Sequence, residues 1–496
     1  MLGACAGEDE AETHRARAHE AGARPTVVVG SKTFTESVIL AETLAQLARE
    51  GGADARHRSD LGGTRVLFEG LRRGDIDAYP EYTGTIRYEL LVNLNIETDE
   101  ELAPALEAMG LRMTEPLGFN NTYAIGMTEA RAEELGITRI SDLRDHPGLV
   151  IGFSNEFMDR ADGWPALRDA YGLPHRRVSG VDHDLAYRGL VGGSIDVMDL
   201  YATDAEIAYY GLRVIEDDRS HFPRYDAVIL HRADLGERAP GVVRAWSRLA
   251  GTLDEASMSA LNERAKIGRE AEALVAQSFI AESFGVETEV FVEGLWGGLW
   301  RTTREQLVLV GVSLGLAVVV AVPLGLFAAR VPRVQQPVLG VVGVFQTIPA
   351  LAMLVLLIPV FGLTPEAAIA ALFLYSLLPI VRNTHAGIVG IAPDVRESAR
   401  ALGLRPWFVI LRIELPMALP MILAGIKTAA VINIGTATLA ALIGAGGYGQ
   451  PILTGIRLDD FSLILRGAIP AAAMALAAQG LLDLVERAAV PRGLRA

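Results

Sequence analysis

Five long apolar segments set the last part of the chain apart from the rest. They cover residues 307–329, 338–361, 366–382, 417–443 and 462–485, and Pro349, Pro359 and Pro379 interrupt the second and third. A helix needs about 20 apolar residues to cross the hydrocarbon core of a bilayer. The pattern therefore predicts an all-α transmembrane domain of about five helices over residues 307–496. Residues 291–306 contain glycines and tryptophans and are predicted to be a linker at the membrane interface.

Residues 25–290 show a different pattern, in which short apolar runs alternate with amphipathic stretches, as in an α/β domain. The step Gly-x-Ile-Asp, typical of a helix end that turns into a strand, begins at Gly74 and again at Gly193. A tyrosine follows each glycine eight residues later, at Tyr82 and Tyr201. This internal echo predicts two similar lobes, the second over about residues 122–224, which close on a ligand between them.

Charge is distributed as unevenly as hydrophobicity. Residues 301–496 hold 15 Lys and Arg against 9 Asp and Glu, a net charge of +6. The preceding 300 residues hold the remaining 30 basic and 51 acidic residues, a net charge of −21. An acidic domain joined to a basic, apolar one indicates a soluble domain on a membrane domain, and the acidic half argues against a nucleic-acid partner.

The positions of the arginines predict the orientation in the membrane. Ten of them follow the first, third and fifth apolar segments, whereas the loops after the second and fourth contain only Arg457. Because cytoplasmic loops are enriched in Lys and Arg, residues 396–416 and the C-terminus are predicted inside and the α/β domain outside the cytoplasm. Arg301 and Arg304, before the first segment, do not fit this pattern.

The single cysteine, Cys5, follows Leu2, Gly3 and Ala4, a sequence that resembles a bacterial lipobox. Only four residues precede it, too few for a signal peptide. A start further upstream, with Cys5 lipidated, is the preferred interpretation, and an accidental match is the alternative. Residues 1–24 are charged and rich in alanine, which is typical of a tether.

Signals for enzyme chemistry are absent from the sequence. No GxxxxGK[ST] phosphate loop occurs, and no nucleophile–base or metal-ligand constellation emerges. Asp182, His183 and Asp184 have no further ligands at a useful spacing, so they are interpreted as a solvated turn. The chain is predicted to be no enzyme, with no catalytic residue, cofactor or metal.

Tyrosines near the two lobes form the main candidate binding site. Tyr82 and Tyr201 end equivalent strands, and Tyr123 and Tyr225 lie where the chain crosses between the lobes. Tyrosines usually only pack, but several around one cleft would hold a quaternary ammonium group by cation–π attraction. Lys32 and Arg160 would then bind a carboxylate, although Lys32 also fits the role of a solvated residue at a helix start. A cage with two cations indicates a betaine.

A second candidate site lies between the third and fourth apolar segments, in residues 396–416. This loop resembles the EAA loop of ABC-importer permeases, in which a short helix docks on the ATPase subunit. The matching residues are Glu397, Ala399, Gly403, Ile413, Leu415 and Pro416, with Ser398 as a departure. Glu397 and Ala399 are predicted to open the helix, and Gly403 is predicted either to end it or to let a partner approach closely.

Longer stretches are similar to the osmoprotectant ABC importers for glycine betaine, proline betaine or choline. They are GSKTFTES (30–37), GDIDAYPEYTGT (74–85), FNNTYAIGM (119–127), LYATD (200–204), DDRSHFPRYDAV (217–228) and, in the permease half, residues 434–450. The resemblance implies a type II periplasmic-binding-protein fold fused to a permease domain. It also implies a cage of Tyr82, Tyr123, Tyr201 and Tyr225 and a carboxylate bound by Lys32, Thr85 and Arg160. Asn121 would help to bind the ligand through its backbone carbonyl.

The same resemblance implies the partners and the location of the protein. A homodimer in the lipid of the bacterial inner membrane would work with separate cytoplasmic ATPase subunits. Choline or ergothioneine as the solute stays an alternative to glycine betaine or proline betaine. An alternative of another class is a membrane ligand sensor or ligand-gated channel, which would have no need for the EAA-like loop.

Overall fold

The structure, a computed structural model, describes residues 24–94, 96, 98–290 and 292–490. The chain divides into two compact units, with the main boundary between Val292 and Glu293, and the short segment Asp60–Gly62 is assigned to the second unit. The first is an α/β unit and the second is helical, as the hydrophobic pattern predicted. Cys5 and nearly all of the predicted tether lie outside the described residues.

The first unit is built around two main β-sheets. A five-stranded sheet has the order β2-β1-β3-β10-β4, in which β10 runs antiparallel to its neighbours. A three-stranded sheet has the order β8-β5-β9, and β6 pairs with β7 in a separate parallel ladder. The strands are β1 (Thr26–Gly30), β2 (Asp54–Arg58), β3 (Ala78–Tyr82), β4 (Leu111–Met113), β5 (Tyr123–Thr128), β6 (Ile151–Ser154), β7 (Val178–Val181), β8 (Met198–Tyr201), β9 (Leu212–Ile215) and β10 (Ala227–Arg232).

Helices cover both sheets and place the core against them. Val27 and Val29 of β1 are fully buried against the apolar face of α1, which is the outcome expected of a strand covered by a helix. The helices of this unit are α1 (Thr35–Glu50), α2 (Thr64–Arg73), α3 (Thr83–Thr85), α4 (Leu102–Glu107), α5 (Glu129–Leu135), α6 (Asn155–Asp159), α7 (Trp164–Tyr171), α8 (His183–Val191), α9 (Ala205–Tyr209), α10 (Leu235–Arg238), α11 (Pro240–Ser247), α12 (Glu255–Lys266) and α13 (Glu272–Phe284).

The second unit consists of helices, with short 3-10 and π turns between some of them. In its described part, four helical segments are long and apolar enough to cross a membrane, or five if a bent pair counts as one span. The helices are α14 (Leu295–Arg330), α15 (Pro332–Thr347), α16 (Ala350–Phe361), α17 (Pro365–Val389), α18 (Pro393–Ala401), α19 (Pro406–Val409), α20 (Leu415–Thr436), α21 (Gly449–Arg457) and α22 (Phe461–Ala489).

The bent pair accounts for the second predicted segment. α15 and α16 meet at an angle of 100°. Pro349 lies at this break and precedes α16, whereas Pro359 and Pro379 remain inside helices. The first helix of this unit, α14, begins at Leu295, well before the predicted start of the apolar segment. The hydrophobic pattern missed its first turns because they contain tryptophans and arginines, which lower the mean hydropathy.

The EAA-like loop is more structured than its sequence indicated. Its helix α18 begins at Pro393, so the prediction that Glu397 and Ala399 open the helix was wrong. Proline fits the first turn of a helix, where its missing N–H would have no partner. The helix ends at Ala401, and Gly403 adopts a left-handed conformation with φ of +67°. A short helix α19 and a π-helical turn, Ile410–Glu414, then lead into α20.

Candidate ligand-binding site

All eight residues predicted to bind a ligand line one small cavity in the first unit. Phe34 and Glu156 complete its wall, and its volume is about 30 Å³. This space holds a water molecule rather than a betaine, so a ligand of that size requires the walls to separate. The predicted residues at the cavity are Lys32, Tyr82, Thr85, Asn121, Tyr123, Arg160, Tyr201 and Tyr225.

Strand register explains how the tyrosines meet. Tyr123 begins β5 and lies directly opposite Tyr201, the last residue of β8. Tyr82 ends β3, where it pairs with Ala227 of β10, and Tyr225 lies just before that strand. Strand ends from both sheets therefore present their rings to the same cavity.

The aromatic rings form a closely spaced group. The ring centroid of Tyr123 lies 5.3 Å from that of Tyr201 and 5.5 Å from that of Tyr225, which it meets edge to face. Phe34 bridges the group, at 5.8 Å from Tyr201 and 6.4 Å from Tyr82. Burial raises the pKa of all four tyrosines above the usual range. They therefore stay neutral phenols whose faces attract a cation.

Sequence reasoning did not find Phe34. It stands in the GSKTFTES stretch between Lys32 and the start of α1. An aromatic residue at a helix start beside the predicted anion site was the available signal.

The two predicted cations already have carboxylate partners. Lys32 Nζ lies 2.6 Å from Glu81 Oε1. Arg160 binds Asp162 with two parallel hydrogen bonds of 2.8 and 2.6 Å, from Nε and Nη2. All four side chains are buried, which makes these pairs hard to separate. The sequence did not reveal Glu81 and Asp162 as the partners of the two cations. Each lies within two residues of a predicted ligand, but an acidic residue in a single sequence is ordinarily interpreted as exposed.

Both cations also lie near the faces of the tyrosine rings. Lys32 Nζ is 5.6 Å from the ring centroid of Tyr82. The guanidinium of Arg160 is 5.6 Å from the ring of Tyr123 and 5.7 Å from that of Tyr225. Its Nη1 remains turned toward Thr85 Oγ1 at 3.4 Å. The cavity thus combines aromatic faces, two paired cations and one guanidinium nitrogen that Asp162 does not occupy.

Glu36 is a further buried carboxylate behind the cavity. It accepts hydrogen bonds from the Tyr82 hydroxyl at 2.5 Å, from Asn121 Nδ2 at 2.9 Å and from Asn262 Nδ2 at 3.2 Å, and also from the Thr203 hydroxyl. Burial raises the pKa of Glu36, although the hydrogen bonds from Thr203 and Tyr82 act in the opposite direction. Glu36 holds Tyr82 and the side chain of Asn121 in place, whereas the resemblance had assigned a role to the Asn121 carbonyl.

His183 supports the cage from behind Tyr201. The two rings stack with centroids 4.2 Å apart. Its Nε2 lies 3.0 Å from Asp204 and its Nδ1 lies 3.7 Å from Asp199. Burial alone would lower the pKa of His183, but Asp204 and Asp199 outweigh it and raise the pKa well above its usual value. The interpretation of residues 182–184 as a solvated turn was therefore wrong, since the His183 side chain is only 13% exposed.

The EAA-like loop forms an exposed surface on the second unit. Ala399 is buried, whereas Glu397 and Gly403 are exposed, and Ile413, Leu415 and Pro416 are half-buried. Large apolar side chains that face solvent nearby are Leu402, Trp407, Phe408 and Leu411. Exposed apolar groups of this size beside charged residues are typical of a surface that binds a protein or a membrane.

Two family models match the chain. Residues 25–282 match the substrate-binding domain of ABC-type glycine betaine transport systems. Residues 321–492 match the inner membrane component of binding-protein-dependent transport systems.

Curated relatives match over about the length of the membrane half. The osmoprotectant import permease protein OsmW of Salmonella typhimurium is 41% identical over 204 residues, which cover 40% of this chain and 95% of the relative. The glycine betaine/carnitine/choline transport permease OpuCB of Bacillus subtilis is 40% identical over 41% of this chain and 94% of its own length. The carnitine transport permease OpuCB of Listeria monocytogenes is 44% identical over 36% and 83%.

The family models divide between the two structural units in the order that the sequence predicted. The first covers the unit that contains the aromatic cavity, and the second covers most of the helical unit. The chain therefore belongs to the family of ABC-type glycine betaine transport systems, and it joins a substrate-binding domain and an inner membrane permease domain in one polypeptide.

Proposed function

We propose that this protein captures a quaternary-ammonium solute of the glycine betaine type in the aromatic cavity and imports it through the permease domain. The observation that carries the proposal is the convergence of four tyrosines and two cations on one cavity. The rings would hold the trimethylammonium group, each close contact contributing about 1–2 kcal/mol when desolvated. The lobes predicted around the cavity would separate to admit the solute.

Charge within the cavity favours a solute that carries its own carboxylate. Lys32 and Arg160 lie over the same rings that would contact the ligand cation. A third positive charge about 5 Å from either one would cost about 3 kcal/mol at an effective dielectric constant of about 20 if that cation were unpaired, and the paired carboxylates of Glu81 and Asp162 reduce this cost. A betaine offsets this repulsion, because its carboxylate would accept hydrogen bonds from Arg160 Nη1 and the Thr85 hydroxyl.

Choline is the second candidate, and a different observation favours it. Glu81 and Asp162 already neutralise the two cations. Glu156 adds a further carboxylate at the cavity wall, and its contact in the structure is with the Thr64 hydroxyl at 2.8 Å. No cation pairs with Glu156 among the described residues. The formal charge around the cavity is then negative, which complements a ligand with a net positive charge.

The transport cycle that we propose needs partners. A homodimer in the inner membrane would supply two permease domains, and cytoplasmic ATPase subunits would dock on the EAA-like loops. The exposed apolar side chains around Trp407 support this role, and the exposed Glu397 supplies charge beside them. The binding domain would face the outside and the C-terminus the cytoplasm, as the arginine distribution predicts.

Calorimetric titration of the full chain in lipid nanodiscs tests the cavity. Glycine betaine, proline betaine, carnitine, choline and ergothioneine are compared on the wild type and on Tyr201→Ala. Tyr209→Ala is the matched control, because Tyr209 is 60% exposed and lies outside the cavity. Loss of binding in Tyr201→Ala alone is the expected result.

The ligand profile then separates the candidates. Tightest binding of a betaine supports the carboxylate subsite, and tightest binding of choline favours the second candidate. Binding of none of the five compounds would refute the cage. Solute flux that needs no ATP in proteoliposomes would instead favour a channel, and the absence of any flux would favour a sensor.

A further inference from the structure

Glu414 is a buried carboxylate in the second unit that lies outside the EAA-like pattern. It ends the π-helical turn before α20 and separates the pattern residues Ile413 and Leu415. Its side chain is only 4% exposed. A buried carboxylate is costly unless it is paired, so its partners hold the local structure together.

Two arginines from different helices bind this carboxylate. Arg330, the last residue of α14, donates to Oε2. Arg396, in the docking helix α18, places its Nε 3.3 Å from Oε1. Each carboxylate oxygen therefore faces a different helix, and Glu414 connects α18 and α14 to the start of α20.

Arg396 adds a fourth helix to this group. Its Nη2 donates to the carbonyl of Ile388, near the end of α17. Below these polar contacts, Ile388 and Ile391 pack with Ala418 and Ile422 of α20, and Val395 of the docking helix packs against them. Polar contacts and apolar packing thus tie the docking helix to the ends of three longer helices.

This arrangement carries a mechanical consequence. A docking helix that moves relative to α14 or α20 must either separate Glu414 from an arginine or carry those helices with it. Separation would remove one of the two arginines that neutralise the buried carboxylate of Glu414, which is unfavourable. Paired charges of this kind, together with packed side chains, are a physical route for coupling between two sites.

We propose that Glu414 is a positioning residue that transmits movement of the docking helix to the membrane helices, so that ATP hydrolysis is linked to solute transport. The proposal rests on the proposed docking of an ATPase subunit on the EAA-like loop. Glu414 itself touches neither solute nor ATP in this scheme. It acts through Arg396 on one side and Arg330 on the other.

The test uses the full chain, copurified with its ATPase subunit and reconstituted in liposomes. Solute uptake and ATP hydrolysis are measured together for the wild type, Glu414→Gln and Arg396→Met. Arg396→Met removes the contacts of the docking helix with Glu414 and with the Ile388 carbonyl and leaves Glu414 paired with Arg330, so it decides the question if Glu414→Gln fails to fold. Glu366→Gln is the matched control, since Glu366 is exposed at the start of α17.

The expected result is loss of coupling rather than loss of assembly. Both variants should retain the ATPase subunit and hydrolyse ATP, while solute uptake per ATP falls about tenfold, which is within the range that mutations in coupling networks produce. Arg396→Lys, which keeps the charge, should recover part of the uptake.

Other outcomes overturn the proposal in distinguishable ways. Unchanged uptake per ATP in both variants would refute the role of Glu414 and leave ATPase docking intact. Loss of the ATPase subunit from both variants would show that the group only shapes the docking surface. A wild type that neither retains an ATPase subunit nor takes up solute with ATP would refute the proposed function itself.

Discussion

Lys266 offers the sharpest test of the proposed closure of the first unit. It ends α12, a helix that packs on α1 and on α9. Its ammonium group contacts Asp184 of α8 and Glu206 of α9, and it lies 5.7 Å from the ring centroid of Tyr187. Its side chain is 10% exposed. Lys266 therefore links helices beside the three-stranded sheet to α12, which packs on α1, and α1 in turn packs on the five-stranded sheet.

Replacing Lys266 by methionine keeps most of the side-chain volume and removes the charge. Two carboxylates then lose their buried partner, which costs about 3–5 kcal/mol in comparable pairs. We use the lower end of this range, about 3 kcal/mol, because the Lys266 side chain is not fully buried. If the whole cost falls on the closed arrangement, ligand affinity drops by about 150-fold, since each 1.4 kcal/mol is a factor of ten.

Titration calorimetry of the full chain measures this loss directly. Glu263→Gln, on an exposed face of the same helix, should bind as the wild type does. Adding Asp184→Asn and Glu206→Gln to Lys266→Met should restore much of the affinity, because no buried charge is then left unpaired. An affinity within about twofold of the wild type for a folded Lys266→Met variant would refute the reasoning, since a factor of two is only about 0.4 kcal/mol.

Three further predictions follow from the cavity. The folded pKa of His183 lies above its usual value of about 6.5. The contribution of His183 to the free energy of unfolding is therefore fully present below about pH 6.5 and is lost as the pH rises through the folded pKa. Chemical unfolding at several pH values should show this decrease, and His183→Gln should make it smaller. Glu156→Gln should weaken the binding of choline more than the binding of glycine betaine, by roughly threefold to tenfold, if Glu156 attracts the ligand cation across partly solvated space. Equal losses of affinity in titrations of both ligands would contradict this role. Gly84→Ala should destabilise the first unit by about 1–3 kcal/mol, because an added Cβ would lie 2.5 Å from the Tyr225 ring; an unchanged unfolding midpoint would show that the ring shifts freely.

Hydrophobic pattern was sufficient to predict the order of the two units. Short apolar runs indicated strands, and segments of about 20 apolar residues indicated spans, because each pattern follows from the geometry of its element. The 100° bend between α15 and α16 was not predictable in the same way. Several prolines interrupted the apolar segments, and only tertiary packing decided that Pro349 marks the break.

The cavity shows a similar division. The offset of eight residues placed Tyr82 and Tyr201 at equivalent strand ends, and the structure brings them to one cavity. The pairing of Tyr123 with Tyr201 depends on strand register, which the sequence alone did not specify. Buried acids such as Glu36 and Asp162 were missed, because a charged residue in a single sequence reads as exposed until its partner is known.

These acids change how the site must be understood. In the sequence, the lysine, the arginine and the tyrosines indicate an aromatic cage beside a free anion site. In the structure, the carboxylates of Glu81 and Asp162 already pair with the two cations of that site. In the proposed site a ligand carboxylate would therefore add to an existing network instead of creating one, and its gain would depend on Arg160 Nη1 and Thr85. Because the protein's own carboxylates hold the cations over the rings, the preference between a betaine and choline would be set by small differences among several charges. On this proposal, selectivity would depend on the acids around the cage as much as on the cage itself.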